Sequence, residues 1–430
     1  MFWCITQTYE KNREIPCRQQ FFAIFVASVR YPMKDIAIIG AGAAGCFCAA
    51  ELSRMRPDFK ITVLEAQGRP MAKLAVTGGG RCNITNSFRD VRDLRSVYPR
   101  GYNLMKRLLP NFGPADICSW FEREGVRFVV QDDQCIFPES QDAMQIVTVL
   151  ERRMHSGAVS LKCGSKVSAV HPDLRVEWNG GCLMKADTVV VCSGGAAAGI
   201  LEPCSLEVEP YLPSLFTLKL SESGLKELMG TVVDNVVLGL AGTKLRSTGT
   251  LLLTDWGISG PATLKLSSYA ARDLAAKGYK GQLLVNWLGI GEAECKEILG
   301  NLSEWNGRTV SNSHPQELTD RLWRYLVGRA QIRENCRWGE LGSKGMARLV
   351  NTLISDSYEI CGRARFKEEF VTCGGVSLKE IDKATMESRK VPGLYLAGEV
   401  LDIDAVTGGF NLQAAWSTAW TAAHAIANKL

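Results

Sequence analysis

At 430 residues the chain is too long for one hydrophobic core, so two or three domains are expected. Its 46% apolar and 22% charged content is that expected of a soluble globular protein. The net charge of +5 is small and no basic run interleaved with aromatics stands out, so nucleic acid is not the expected partner.

Fifteen cysteines are scattered with no C-x-x-C and no C-x4-C, which excludes a zinc ribbon and a dithiol-type reductase. They read as reduced, mostly buried thiols of a cytoplasmic protein. His155, His171, His314 and His424 lie far apart, with no metal spacing. Nothing reaches the roughly 18 apolar residues of a membrane span.

Residues 1–33 read as an N-terminal extension, poorly ordered and without function. Phe21 to Val29 is apolar and follows Lys11, Arg13 and Arg18, which mimics a secretory signal, but no convincing cleavage site precedes Tyr31-Pro32.

The organising stretch is Asp35 to Glu65. Asp35 to Ile39 predicts a buried parallel strand. Gly40, Gly42 and Gly45, with Ala43 and Ala44 between them, form G-x-G-x-x-G at the mouth of a helix rich in small residues. Gly40 suits the tight turn, Gly42 lets backbone approach a pyrophosphate, and Gly45 lets helix and strand pack closely. The helix start offers N–H groups and a positive dipole end to the phosphates. A second strand, Ile61 to Leu64, ends in Glu65, 20 residues past Gly45, placed to accept from a ribose hydroxyl. A carboxylate there favours FAD or NAD over NADP.

A second glycine-rich loop follows. Lys73, Thr77, Gly78, Gly79, Gly80, Arg81, Cys82, Asn83, Thr85 and Asn86 combine backbone freedom, positive charge and polar contacts, which suits a flavin. LEAQGRPMAKLAVTGGGRCNITN, with the C-terminal motif below, resembles the aminoacetone oxidase family of FAD-binding enzymes, commonly described as NAD(P)/FAD-dependent oxidoreductases. The resemblance runs from about Met33 to Leu430.

Pro99 to Leu109, Ala115 to Glu124 and Ala143 to Met154 predict helices, and Val126 to Val130 with Cys135 to Pro138 a hairpin. Short strands are expected within Val159 to Val176 and over Cys182 to Lys185. Residues 186–199 predict a buried strand opening into Ser193-Gly194-Gly195. From Ser205 the pattern alternates, as in an antiparallel β domain. Thr254 with Gly257 to Pro261 matches a loop of the resembling family, which usually has histidine where this chain has Asp255. A helix is expected over Ala262 to Ala276. Gly291 to Leu302, Pro315 to Ala330 and Lys344 to Ser355 predict a helical insert, and Tyr358 to Thr372 returns to strand.

Gly393 to Ala397 predicts a central strand. Gly398, Glu399 and Asp402 follow it, where the resemblance implies contact with the ribityl chain. Gly408, Gly409, Phe410 and Asn411 open the closing helix, whose N–H groups suit the flavin pyrimidine edge.

The expected fold is α/β: a discontinuous Rossmann-like FAD-binding domain, residues 34–203 and 373–430. Into it is inserted an antiparallel β domain, 204–290 and 356–372, carrying a helical module, 291–355. The expected activity is that of an FAD-dependent oxidoreductase with NADH or NADPH as transient donor and a small-molecule substrate. The resemblance implies reduction of a carbon–carbon double bond in a steroid-like compound. Alternatives are an amine-oxidase-type flavoenzyme using oxygen, and a flavoprotein acting in RNA modification or binding FAD without catalysis.

Overall fold

The computed structural model describes residues 33–196, 199–304, 307–364 and 371–429. The expectation for the N-terminal extension falls on 1–32, outside the described residues. The α/β class expected from the sequence is the one observed, as two units with separate cores.

The first unit is built on a parallel sheet. Its strands are β1 (Asp35–Ile39), β2 (Lys60–Leu64), β3 (Ser160–Lys162), β4 (Thr188–Val191) and β5 (Leu394–Leu396), in spatial order β3-β2-β1-β4-β5. All neighbouring pairs are parallel. This is the doubly wound order, in which the direction of winding reverses between β1 and β4. The apolar runs of β1 and β4 exist because both faces are covered: Ile36, Ile38, Val189 and Val190 are fully buried. The strand expected to be central, β5, is outermost. Its free edge is closed by the chain before it, through Ser388 N–H to Leu394 C=O and Leu396 N–H to Met386 C=O.

Helix α1 (Ala43–Met55) follows β1, α2 (Ala143–Ser156) precedes β3, and α3 (Phe410–Lys429) closes the chain. Small residues of α1 bring α3 close, and Phe47 meets Trp416 edge-on at 5.5 Å. Glu51, 2% exposed, accepts from Trp120 Nε1 at 3.0 Å, Arg54 Nη2 at 2.6 Å and His424 Nε2 at 3.2 Å. One buried carboxylate thus joins three helices.

The second unit is a closed antiparallel barrel, stricter than the β domain expected. Its strands run, in order around it, Leu218–Leu220, Gly257–Ser259, Arg246–Thr254, Val232–Leu240, Gly281–Asn286 and Asp356–Arg363. The last two are neighbours, and helices Glu292–Ser303, Asp320–Arg329 and Gly342–Ser355 are looped out between them. Arg329 anchors that insert by bonding the buried Asp356 at 2.7 and 3.0 Å. The helix expected over Ala262 to Ala276 is two, Pro261–Tyr269 and Ala271–Ala276, broken at Ala270, whose ψ of 9° leaves the helical region. The strand expected over Tyr358 to Thr372 ends at Arg363, and its continuation partly lies outside the described residues. Val208–Ser214 pairs antiparallel with Val371–Val376 and joins the two units.

Among the described residues all cysteines are free, most of them buried, and no helix is long and apolar enough to cross a membrane.

Candidate functional site

The site begins at the switch between β1 and β4. Gly40 has φ +93°, and a Cβ there would lie 2.6 Å from the Cys192 carbonyl oxygen. Only glycine lets the turns after β1 and β4 pass this closely. At Gly45 a Cβ would meet the Gly40 carbonyl oxygen at 1.9 Å, so the helix packs directly on the turn. At Gly42 a Cβ meets nothing within 4 Å. That position faces open space in front of α1, whose first N–H groups have no intrahelical partner and whose first turn, from Ala43, carries no acid. Glu65 accepts the Ala41 N–H at 2.7 Å and the Gln67 N–H at 2.8 Å.

In the second loop Gly78, Gly79 and Gly80 all have positive φ, between 58° and 84°. Gly78 is packed, its Cβ position 3.0 Å from Asn83 N, whereas Gly79 and Gly80 open onto empty space. Arg81 braces the loop: Nε donates to Gly78 C=O at 3.1 Å, and its guanidinium lies 4.4 Å from the Phe137 ring centre. Cys82 is fully buried, and burial pushes its thiol up to about 12, so it remains a protonated core residue.

The third loop follows β5. A Cβ on Gly398 would lie 3.0 Å from the Cβ of Ala44, which brings Glu399 beside the start of α1. Glu399 Oε1 accepts the Thr372 N–H at 2.6 Å, and Oε2 lies 3.9 Å from Lys73 Nζ. Burial pushes the Glu399 carboxyl above its ordinary range, with Lys73 and the Thr372 N–H opposing. Ser193, in the turn after β4, has a buried hydroxyl with no partner among the described residues. It adjoins the Gly40 crossing, where the added Cβ would lie 2.8 Å from Ser193 Cα.

Other residues singled out from sequence are used differently. Asp402 binds Arg272 Nη2 with both oxygens at 2.9 Å. Asn411 spends its amide on Ala405, accepting its N–H at 2.8 Å and donating to its C=O at 2.9 Å. Phe410 is 5% exposed and packs edge-on to Phe88 at 5.0 Å. A Cβ on Gly408 would meet the Phe410 ring at 2.9 Å. With the Asn83 amide turned so that both its atoms are satisfied, its oxygen accepts the Gly409 N–H at 3.1 Å and its nitrogen donates to Thr85 C=O at 2.8 Å. The Asn83 amide, the Gly409 N–H, the Phe410 ring and the Asn411 side chain therefore build the start of α3.

Sequence reasoning passed over Ser193 as a site residue, although its place after a buried strand marks it. It also missed Thr372, whose contribution is backbone alone.

The site fits a dinucleotide cofactor on three observations: the open positions at Gly42, Gly79 and Gly80, the unpaired Ser193 hydroxyl, and an acid at the end of β2. The description "HI0933-like protein Rossmann domain" matches residues 34–425. Over 410 residues, 90% of this chain and 97% of the relative, the sequence is 30% identical to ribosomal RNA dihydrouridine synthase of Escherichia coli. Over 415 residues it is 27% identical to 3-dehydro-bile acid delta(4,6)-reductase of Clostridium scindens, covering 92% of this chain and 100% of that one. Among solved structures, 3-ketosteroid delta1-dehydrogenase from Sterolibacterium denitrificans has a similar fold, with a TM-score of 0.50 at 13% identity, over 93% of this chain and 100% of that one. With nine-tenths of its length matched, and with glycine turns shaped for a dinucleotide, the chain belongs to the HI0933-like family of FAD-binding Rossmann oxidoreductases.

Proposed function

We propose that this protein binds FAD and saturates a carbon–carbon double bond conjugated to a carbonyl, with NADH or NADPH as transient donor. One observation supports the reaction above others. Two relatives matched over nine-tenths of the chain have names that point to the same bond class. A 3-dehydro bile acid with delta(4,6) unsaturation is a conjugated dienone, and dihydrouridine is uridine whose alkene beside a ring carbonyl has been reduced.

FAD, when bound, supplies hydride transfer. The chain's own residues hold and orient it. Gly42 and the first N–H groups of α1, from Ala43 and Ala44, receive the pyrophosphate, with Gly79 and Gly80 clearing its other side. Glu65 takes the adenosine ribose and disfavours a 2′-phosphate. Glu399 and Ser193 supply polar groups between the two loops, and Lys73 balances the phosphate charge. The positive end of α3 would favour negative charge on a ring held in front of it.

The substrate that the resemblance implies is a small hydrophobic enone of steroid type. A second reading, a uridine base in RNA, is favoured by the 30% identity to the E. coli relative. The test is anaerobic reduction of the loaded enzyme by NADH or NADPH, then reoxidation by a 3-keto-4-ene steroid or by a ribosomal RNA fragment. The expected result is a product heavier by two hydrogens. Reoxidation by oxygen alone, with peroxide formed from an amine, would overturn this in favour of an amine oxidase.

A further inference from the structure

Asp402 and Asp404 stand in the segment that leads from β5 into α3, and both carboxylates reach toward the barrel unit. Asp402 binds Arg272, on the helix Ala271–Ala276. Asp404, 1% exposed, takes a two-pronged contact from Arg100 and accepts from Ser214 Oγ at 3.0 Å. Arg100 also donates to Ser268 C=O of the helix Pro261–Tyr269 at 2.9 Å. The same segment runs taut into α3. Val406 N–H bonds Val97 C=O at 2.9 Å, and Tyr98 O–H donates to Phe410 C=O at 2.8 Å. The start of α3 is thus gripped from the first unit and, through two acids, from the second.

A half-exposed ion pair such as Arg272–Asp402, with side chains 45% and 16% exposed, adds little to stability. Its placement points to another use. We propose that Arg272 and Asp402 are a positioning pair through which the seating of the barrel unit sets the start of α3, and with it the redox potential of the bound flavin. This rests on the FAD reading above. The acid read from sequence as a cofactor contact acts here through the helix, not by touching the cofactor.

The sign of the effect separates positioning from a direct field. Arg272→Met removes a positive charge, which by field alone lowers the potential. Asp402→Asn removes a negative charge, which by field alone raises it. If the pair positions the helix, both variants loosen the same helix start and both lower the potential. The double variant, whose charge changes cancel, lowers it as much as either single one.

The test is redox titration of purified full-length protein, fully loaded with flavin. The expected result is a threefold weaker preference for reduced over oxidised flavin in each variant, about 14 mV for a two-electron couple. Arg272→Lys, whose ammonium reaches the same carboxylate, should return the potential to the wild-type value. Opposite shifts in the two single variants, or unchanged potentials in folded and loaded protein, would overturn the proposal. A wild-type protein that takes up no flavin would instead overturn the reading of the site, and this proposal with it.

Discussion

Glu65 Oε2 accepts the Ala41 N–H at 2.7 Å, so the acid ending β2 braces the glycine turn that follows β1. On the proposed reading the same carboxylate would also take the ribose. Glu65→Ala removes a charge-assisted bond worth about 1.5–3 kcal/mol. FAD affinity, read by fluorescence titration of the apoprotein, should fall at least about tenfold. Glu65→Gln keeps one oxygen and should lose less. Equal affinities for all three proteins would show that Glu65 has no part in binding.

Two glycines of one motif should fail in different ways. At Gly42 an added side chain meets open space, so Gly42→Val should fold with an unchanged melting temperature of the apoprotein and bind no FAD. At Gly45 a Cβ lies 1.9 Å from backbone, so Gly45→Ala should lose about 1–3 kcal/mol of stability in the apoprotein itself. Denaturant melts of flavin-free protein distinguish the two outcomes.

The Glu51 junction gives a pH signature. Burial alone would raise its carboxyl, but hydrogen bonds from His424, Arg54 and Trp120 outweigh that and hold it at about 2, against an ordinary 4.5. A depressed native pKa contributes stability above the unfolded value, and that contribution is lost as pH falls from about 4.5 toward 2. The full effect is on the order of 3 kcal/mol. Glu51→Gln should be less stable at neutral pH and show a flatter stability profile over that acid window. A parallel profile for mutant and wild type would refute the assignment.

At the other end of the cradle, Gly409 has φ +84°, and a Cβ there would lie 2.5 Å from the Thr85 carbonyl. Gly409→Ala should cost about 1–3 kcal/mol through strain and overlap, measured on apoprotein by chemical denaturation. Asn83→Ala removes the partner of the Gly409 N–H without adding bulk and should cost less. A Gly409→Ala protein as stable as wild type would mean the helix start is looser than this contact implies.

Local signals were read correctly where geometry is local. The turn after β1, its helix and the acid of β2 lie within one short stretch of chain, and strand, glycines and helix each leave a mark of their own. Barrel closure left none, because Leu218–Leu220 pairs with Asp356–Arg363 across more than a hundred residues. The place of β5 at the sheet edge was hidden for a related reason: its backbone edge is closed by the preceding loop instead of by another strand. Asp402 and Asn411 were misjudged in role because an acid or amide in a glycine loop looks alike whether it meets a ligand or a neighbouring residue. Only the positions of Arg272 and Ala405 decide that.

Ala44, on the helix after the first strand, touches Gly398, and Arg56 donates to the Ala427 carbonyl at 3.0 Å. The cradle is therefore made from stretches far apart in the sequence. During synthesis the first strand, helix and glycine turn leave the ribosome long before β5 and α3 exist, and the whole barrel is made in between. If the proposed site is right, it is finished only once α3 has been made. On the proposed reading a product that lacks α3 should therefore be colourless.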